Sequence, residues 1–123
     1  ELYPDGSHVN VIYAVNPCSF GIDTAVPLGL ILNELVTNAF KYAFANRDKG
    51  TLKVSFVRGL EDSYELTVED DGPGLPESFD LQHTESLGMQ LVQGLTRQLK
   101  GTFRVGRSDL GGALYVIHFK SLS

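Results

Sequence analysis

The chain predicts an α+β domain built as a two-layer α/β sandwich, with a mixed, mostly antiparallel sheet and helices on one face. Three observations lead there. The order of elements reads strand, helix, two strands, loop, helix, two strands. Neighbouring strand segments are joined by turns short enough to be hairpins. Both helical segments carry enough apolar residues to lie on the sheet. A doubly wound nucleotide fold is excluded, because no Gly-x-Gly-x-x-Gly follows the first strand and no glycine-rich loop ends in Gly-Lys-Ser/Thr.

Each element has its own signal. Val9, Val11, Tyr13 and Val15 alternate with Asn10, Ile12 and Ala14, predicting a strand over 8–15. Asn16-Pro17 breaks it, and a short extended piece is expected over 18–22. Asp23 or Thr24 suits a helix cap, Pro27 is tolerated in the first turn, and the helix runs to about Ala45. Residues 46–50 form a polar turn, and 51–57 a strand with Leu52, Val54 and Phe56 on one face. A hairpin turn over 59–63 leads to a third strand carrying Tyr64, Leu66 and Val68 and ending near Glu69. Residues 71–86 are rich in Gly, Pro, Asp and Ser without periodicity, and a stretch of that kind is usually functional. Helical spacing returns at Leu87, Leu91, Val92, Leu95 and Leu99, closed by Gly101. Phe103 and Val105 mark a fourth strand, 108–112 a turn, and 113–119 a fifth strand.

At 123 residues with 42% apolar and 20% charged content, the composition is that of one globular domain with a real core. A net charge of −5 disfavours nucleic-acid binding, which runs on clustered Lys and Arg. The lone Cys18 excludes an intrachain disulfide and suits a reducing, cytoplasmic setting. No apolar run approaches the length of a membrane span, and no signal peptide is visible. The chain begins at Glu1 and enters a strand pattern almost at once, so residues 1–123 are expected to be one domain of a longer protein.

The most informative stretch is Asn33-Glu34-Leu35-Val36-Thr37-Asn38-Ala39-Phe40-Lys41-Tyr42. Its surroundings (Leu28, Leu30, Ile31, Leu32, Leu35, Val36, Ala39, Phe40, Ala43) read as a buried helix, yet Glu34, Asn38 and Lys41 recur at i, i+4, i+7 on one stripe. An unpartnered buried charge costs several kcal/mol, so a polar, charged ligand is expected against that stripe; a metal-bound phosphate chain fits. Asp70-Asp71-Gly72-Pro73-Gly74 follows a strand directly. A carboxylate at a strand end accepts a hydrogen bond from an exocyclic amine such as adenine's, and the glycines let a flat ligand approach; read alone, the same residues also make an ordinary turn. Ser86-Leu87-Gly88-Met89 heads the second helix, where free N–H groups bind anions or Ser86 acts simply as a cap. Gly111-Gly112-Ala113 reads alone as a hairpin turn.

Together, in this order and spacing, the four motifs resemble the ATP-binding domain shared by sensor histidine kinases and the gyrase, chaperone and mismatch-repair ATPases, the Bergerat fold. Asn33 to Tyr42 looks like the N box, Asp70 to Gly74 the G1 box, Ser86 to Met89 the G2 box, and Gly111 to Ala113 the terminal glycine pair. The likeness runs from about Val9 to Phe119. Residues 27–39 are similar to histidine kinases of the second dimerisation-domain type.

The resemblance implies a role for each motif residue. Asn38 ligates a magnesium ion on the ATP phosphates, with Glu34 beside it as a second ligand or as the group that orients the attacking nucleophile. Lys41 offsets phosphate charge and Tyr42 lines the pocket. Asp70 binds the adenine amine, and Gly72, Gly74 and Gly112 make room for the base. Residues 75–86 form a lid. Ser86, Leu87, Gly88 and Met89 meet the phosphates. His8, His83 and His118 are structural or exposed, Cys18 and Met89 pack, and Asp71 and the 47–49 charge run face solvent. The implied activity is a histidine kinase catalytic domain that transfers the γ-phosphoryl group of ATP to a histidine on a separate dimerisation domain, with a response regulator downstream. The isolated domain is expected to be monomeric and to lack that histidine. The alternatives are an anti-sigma-factor-type serine kinase, since Glu34 stands where many histidine kinases carry Asn, and a non-catalytic nucleotide-binding docking module.

Overall fold

Strand β1 (His8–Val15) precedes helix α1 (Ile22–Asn38), which runs on into a wider π-helical turn (Ala39–Ala43). Strands β2 (Lys49–Arg58) and β3 (Ser63–Asp70) form a hairpin, helix α2 (Leu87–Gln98) follows, and β4 (Thr102–Arg107) and β5 (Ala113–Lys120) form a second hairpin. The computed structural model describes residues 8–15, 20–44, 49–75 and 87–120. Among the described residues the strands form a five-stranded sheet in the order β1-β2-β3-β5-β4, with β1 parallel to β2 and the other pairings antiparallel. The mixed sheet and the two-layer sandwich expected from the sequence are therefore present.

Alternation decides which face is covered. Leu52, Val54 and Phe56 of β2, and Tyr64, Leu66 and Val68 of β3, are buried, while the residues between them are half-exposed. They meet Ile31 and Leu35 of α1, Val92 of α2, and Tyr115, Ile117 and Phe119 of β5 in one cluster. Phe56, Tyr64 and Phe119 stack there, with Phe20 edge-on to Tyr64 at 4.8 Å between ring centroids.

Five local expectations are corrected. The cap of α1 is Gly21, extended at φ −69° and ψ 169°, and not Asp23 or Thr24; its carbonyl accepts the N–H groups of Thr24 and Ala25 at 3.1 and 2.9 Å. Ile22 thus belongs to the helix and not to an extended piece over 18–22, of which 18 and 19 lie outside the described residues. Helix α1 is also buried on one side only: Pro27, Ile31, Leu35 and Asn38 are inside, whereas Ile22, Val26 and Leu30 are exposed.

The buried stripe of α2 is Met89, Val92 and Thr96, continued by Leu99, while Leu87 and Leu91 are 81% and 45% exposed. Of the expected spacing, Val92 and Leu99 are buried and Leu95 packs against the core, so only Leu87 and Leu91 fall off the covered face. Packing selects the stripe with Thr96, whose hydroxyl is satisfied by the Val92 carbonyl at 2.7 Å. Finally, the left-handed residue that ends α2 is Lys100 (φ 57°), not Gly101. Lys100 N–H bonds Arg97 O at 2.9 Å and Gly101 N–H bonds Thr96 O at 3.0 Å, the nested pair of a Schellman motif. Gly101 is needed for space: a Cβ there would strike the His118 carbonyl and sit 3.0 Å from the Phe119 Cβ.

Candidate functional site

The alternation that buries Tyr64, Leu66 and Val68 also buries the last residue of β3, Asp70, at 2% exposure. A carboxylate in that position requires donors. Its Oδ1 accepts the backbone N–H of Gly72 at 2.9 Å and of Ala113 at 3.1 Å, and its main-chain carbonyl accepts Gly112 N–H at 3.1 Å. Strand β5 thus holds Asp70 from the side, and the chain beyond β3 holds it from the end.

The glycines mark where segments converge. A Cβ on Gly72 would lie 2.7 Å from the Ala43 Cβ and 2.9 Å from its carbonyl oxygen. A Cβ on Gly112 would run into Asp70 Oδ1 and come within 2.6 Å of both the Asp70 carbonyl and Gly72 N. Gly74 is needed for conformation, at φ 81°.

Ala43 reaches Gly72 because α1 widens at its end. Phe44 N–H bonds Ala39 O at 3.1 Å, a five-residue step, and such turns recur at functional sites. Asn38 is the last α-helical residue before the wide turn and is 7% exposed. Asn38, Ala43, Asp70, Pro73, Gly74, Leu75, Ala113 and Tyr115 line one cleft of ≈ 30 Å³. Residues 32 positions apart in the chain, Asn38 and Asp70, therefore share a cavity.

The remaining site residues divide. Glu34 lies one turn before Asn38 and is half-buried. Lys41 lies in the wide turn and is exposed, whereas Asn38 is buried and Glu34 half-buried. Tyr42 is in the same turn, its side chain outside the described part. Leu87 and Gly88 open α2, exposed and half-buried. Met89 is 5% exposed within the core cluster, in line with its expected packing role. Ser86, His83 and the lid beyond Leu75 lie outside the described residues, as does Cys18.

Asp71 is not solvent-facing. It is half-buried, its Oδ1 accepts Thr51 N–H at 3.1 Å, and its own N–H donates to Thr51 O at 3.3 Å. Reading by motif also missed Ala43 and Tyr115 as lining residues. Tyr115 was findable from β5 alternation, since it falls two residues after Ala113 on the covered face. A larger open groove of ≈ 520 Å³ lies between Ile22 at the start of α1 and Leu99 after α2, and it contains none of the motif residues. Among the described residues, no cluster of three or more His, Cys, Asp or Glu side chains is placed to hold a metal, and no helix is long and apolar enough to cross a membrane.

Set beside known proteins, residues 23–122 match the family model described as histidine kinase-, DNA gyrase B-, and HSP90-like ATPase. The chain is 33% identical over 90 residues to blue-light-activated histidine kinase 2 of Erythrobacter litoralis, covering 73% of this chain and 26% of that protein. It is 34% identical over 97 residues to the sensor histidine kinase PdtaS of Mycolicibacterium smegmatis, covering 77% of this chain and 19% of that protein. The chain thus spans about a quarter or less of these curated relatives. The solved histidine kinase domain of an Erythrobacter litoralis blue-light-activated kinase superposes with a TM-score of 0.83 at 28% identity, covering 92% of this chain and 52% of that one.

Proposed function

We propose, since the chain belongs to the histidine kinase-, DNA gyrase B- and HSP90-like ATPase family, that it is the catalytic domain of a sensor histidine kinase, binding Mg-ATP in the Asn38–Asp70 cleft. The observation that carries this reading is Asp70, a buried carboxylate fixed by backbone donors and lining a cleft it shares with Asn38. Asp70 accepts the exocyclic amine of adenine. Gly72, Gly74 and Gly112 keep Cβ atoms away from the base. The cleft is ≈ 30 Å³ here, smaller than a purine, so its lining must open for the base to enter.

The donor set fits magnesium. Asn38 offers a neutral oxygen and Glu34, a turn away, a carboxylate, and this ion takes one or two protein oxygens while keeping waters and phosphates. When bound, the ion would neutralise phosphate charge. Lys41, exposed on the wide turn, would offset the same charge, and Tyr42 is assigned to the pocket by motif alone. The backbone at Leu87, Gly88 and Met89 supplies N–H groups at the head of α2, with Ser86 assigned to the phosphates by motif alone. Glu34 also orients the acceptor imidazole, which is nucleophilic near neutral pH and needs little activation. Catalysis is then positioning and charge neutralisation.

The acceptor is a histidine on a dimerisation domain of the same protein, with a response regulator beyond it; residues 1–123 are the monomeric, cytoplasmic ATP-binding unit. Calorimetry with magnesium and a non-hydrolysable ATP analogue tests the pocket. Asp70→Asn and Asn38→Ala are expected to abolish measurable binding. Wild-type affinity in both variants would remove the assignment. With labelled ATP and a dimerisation domain, the product should be acid-labile phosphohistidine; an acid-stable phosphoserine would point to a serine kinase instead.

A further inference from the structure

We propose that Asp71 is a positioning residue for purine recognition, because its side chain stands in for its own main-chain carbonyl at the end of the β2–β3 ladder. The proposal rests on the purine-site reading of Asp70. In the antiparallel register, Leu52 faces Asp70, so Thr51 would next face Asp71. One half of that next pair is regular: Asp71 N–H donates to Thr51 O at 3.3 Å. The other half is not. Thr51 N–H donates at 3.1 Å to the Asp71 side-chain Oδ1.

The substitution has a mechanical consequence. A ladder that used the Asp71 carbonyl would keep the main chain extended past Asp71. With the carboxylate as acceptor, Thr51 N–H is satisfied while the backbone leaves the sheet between Asp71 and Gly72. That departure brings Gly72 N–H within 2.9 Å of Asp70 Oδ1 and sets Gly72 against Ala43. Asp70 is therefore pinned from two sides, by β5 through Gly112 and Ala113, and by β2 through Asp71 and Thr51. Without the second pin, the segment that aims the Asp70 carboxylate is held by one strand only.

A short side chain with an acceptor at the δ position is required. Asn retains that oxygen, Ala removes it, and Glu carries it one methylene too far. The test titrates the 123-residue chain and its variants with ATP and with inosine triphosphate, in which a keto oxygen replaces the exocyclic amine. The parent is expected to prefer ATP. Asp71→Ala should weaken ATP binding about three- to tenfold, the worth of one hydrogen bond, and leave inosine triphosphate binding within about twofold. Asp71→Asn should restore the preference and Asp71→Glu should not. If Asp71→Ala does not fold, the Asn and Glu variants decide by the same ratio.

Equal weakening of both nucleotides, or an Asn variant no better than Glu, would show a structural role only and overturn the proposal. A parent chain that binds the two nucleotides alike, or binds neither, overturns the purine-site reading itself. A parent that prefers ATP beside an Asp71→Ala that keeps the preference overturns this proposal alone.

Discussion

Replacing Gly112 with Ala is the sharpest test of how the site is built. The new Cβ would overlap Asp70 Oδ1 and lie 2.6 Å from the Asp70 carbonyl and from Gly72 N. Two of those three atoms are main chain, so no side-chain rotation relieves the contact. Overpacking of this kind costs about 1–3 kcal/mol. Strand β5 must also back away from Asp70, which strains the N–H groups that Gly112 and Ala113 donate to it. Two weakened hydrogen bonds add about 2 kcal/mol. The sum is about 3–5 kcal/mol, and for a chain of this size each kcal/mol lowers Tm by about 4 °C. Thermal unfolding of Gly112→Ala should therefore show a fall of about 12–20 °C, and nucleotide titration a loss of binding. Gly29 provides the control. It lies in α1, where a Cβ would meet nothing within 4 Å, so Gly29→Ala should raise Tm by about 2–4 °C through helix propensity. A Gly112→Ala variant that melts and binds like its parent would refute the convergence of segments on Asp70.

Further expectations concern α2, whose expected apolar stripe is buried at Val92 and Leu99 but not at Leu87 and Leu91. Lys100 holds a left-handed backbone that glycine adopts freely, so Lys100→Gly should stabilise by about 1 kcal/mol in chemical denaturation. Gly101→Ala, one residue on, should destabilise by about 1–3 kcal/mol because its Cβ meets the His118 carbonyl. Opposite signs at adjacent positions distinguish conformation from space, and equal signs would contradict the assignment. Val92→Ala should cost about 2 kcal/mol as a fully buried cavity, whereas Leu87→Ser should change stability by less than about 0.5 kcal/mol. A larger loss at Leu87 would restore the leucine stripe as the packed face.

The strands were legible because alternation is local. Val9 to Val15, Leu52 to Phe56 and Tyr64 to Val68 each carry their own period, and the register of a covered face follows from it. The motif residues were legible for a related reason: Asp70 and Asn38 are polar where the pattern demands apolar residues. The errors fall where local patterns permit two answers. Leu87 and Leu91 make as good a helical stripe as Met89 and Val92, and only contact with α1 and the sheet selects one. Asp71 sits in a sequence that any exposed turn would tolerate, and its bond to Thr51 spans 20 residues.

By itself the sequence determined the two-layer sandwich, the element order and the presence of an acid, an amide and glycines in a family-specific spacing. Tertiary structure alone decided that Asn38 and Asp70 line one cleft, that α1 widens after Asn38 where Ala43 meets Gly72, that Gly112 and Ala113 bond Asp70, and that Asp71 bonds Thr51 on β2. The physical reason is range. Periodicity and capping act within a few residues, whereas burying a carboxylate requires donors from wherever the folded chain brings them, and here they come from β5 as well as from the adjoining turn.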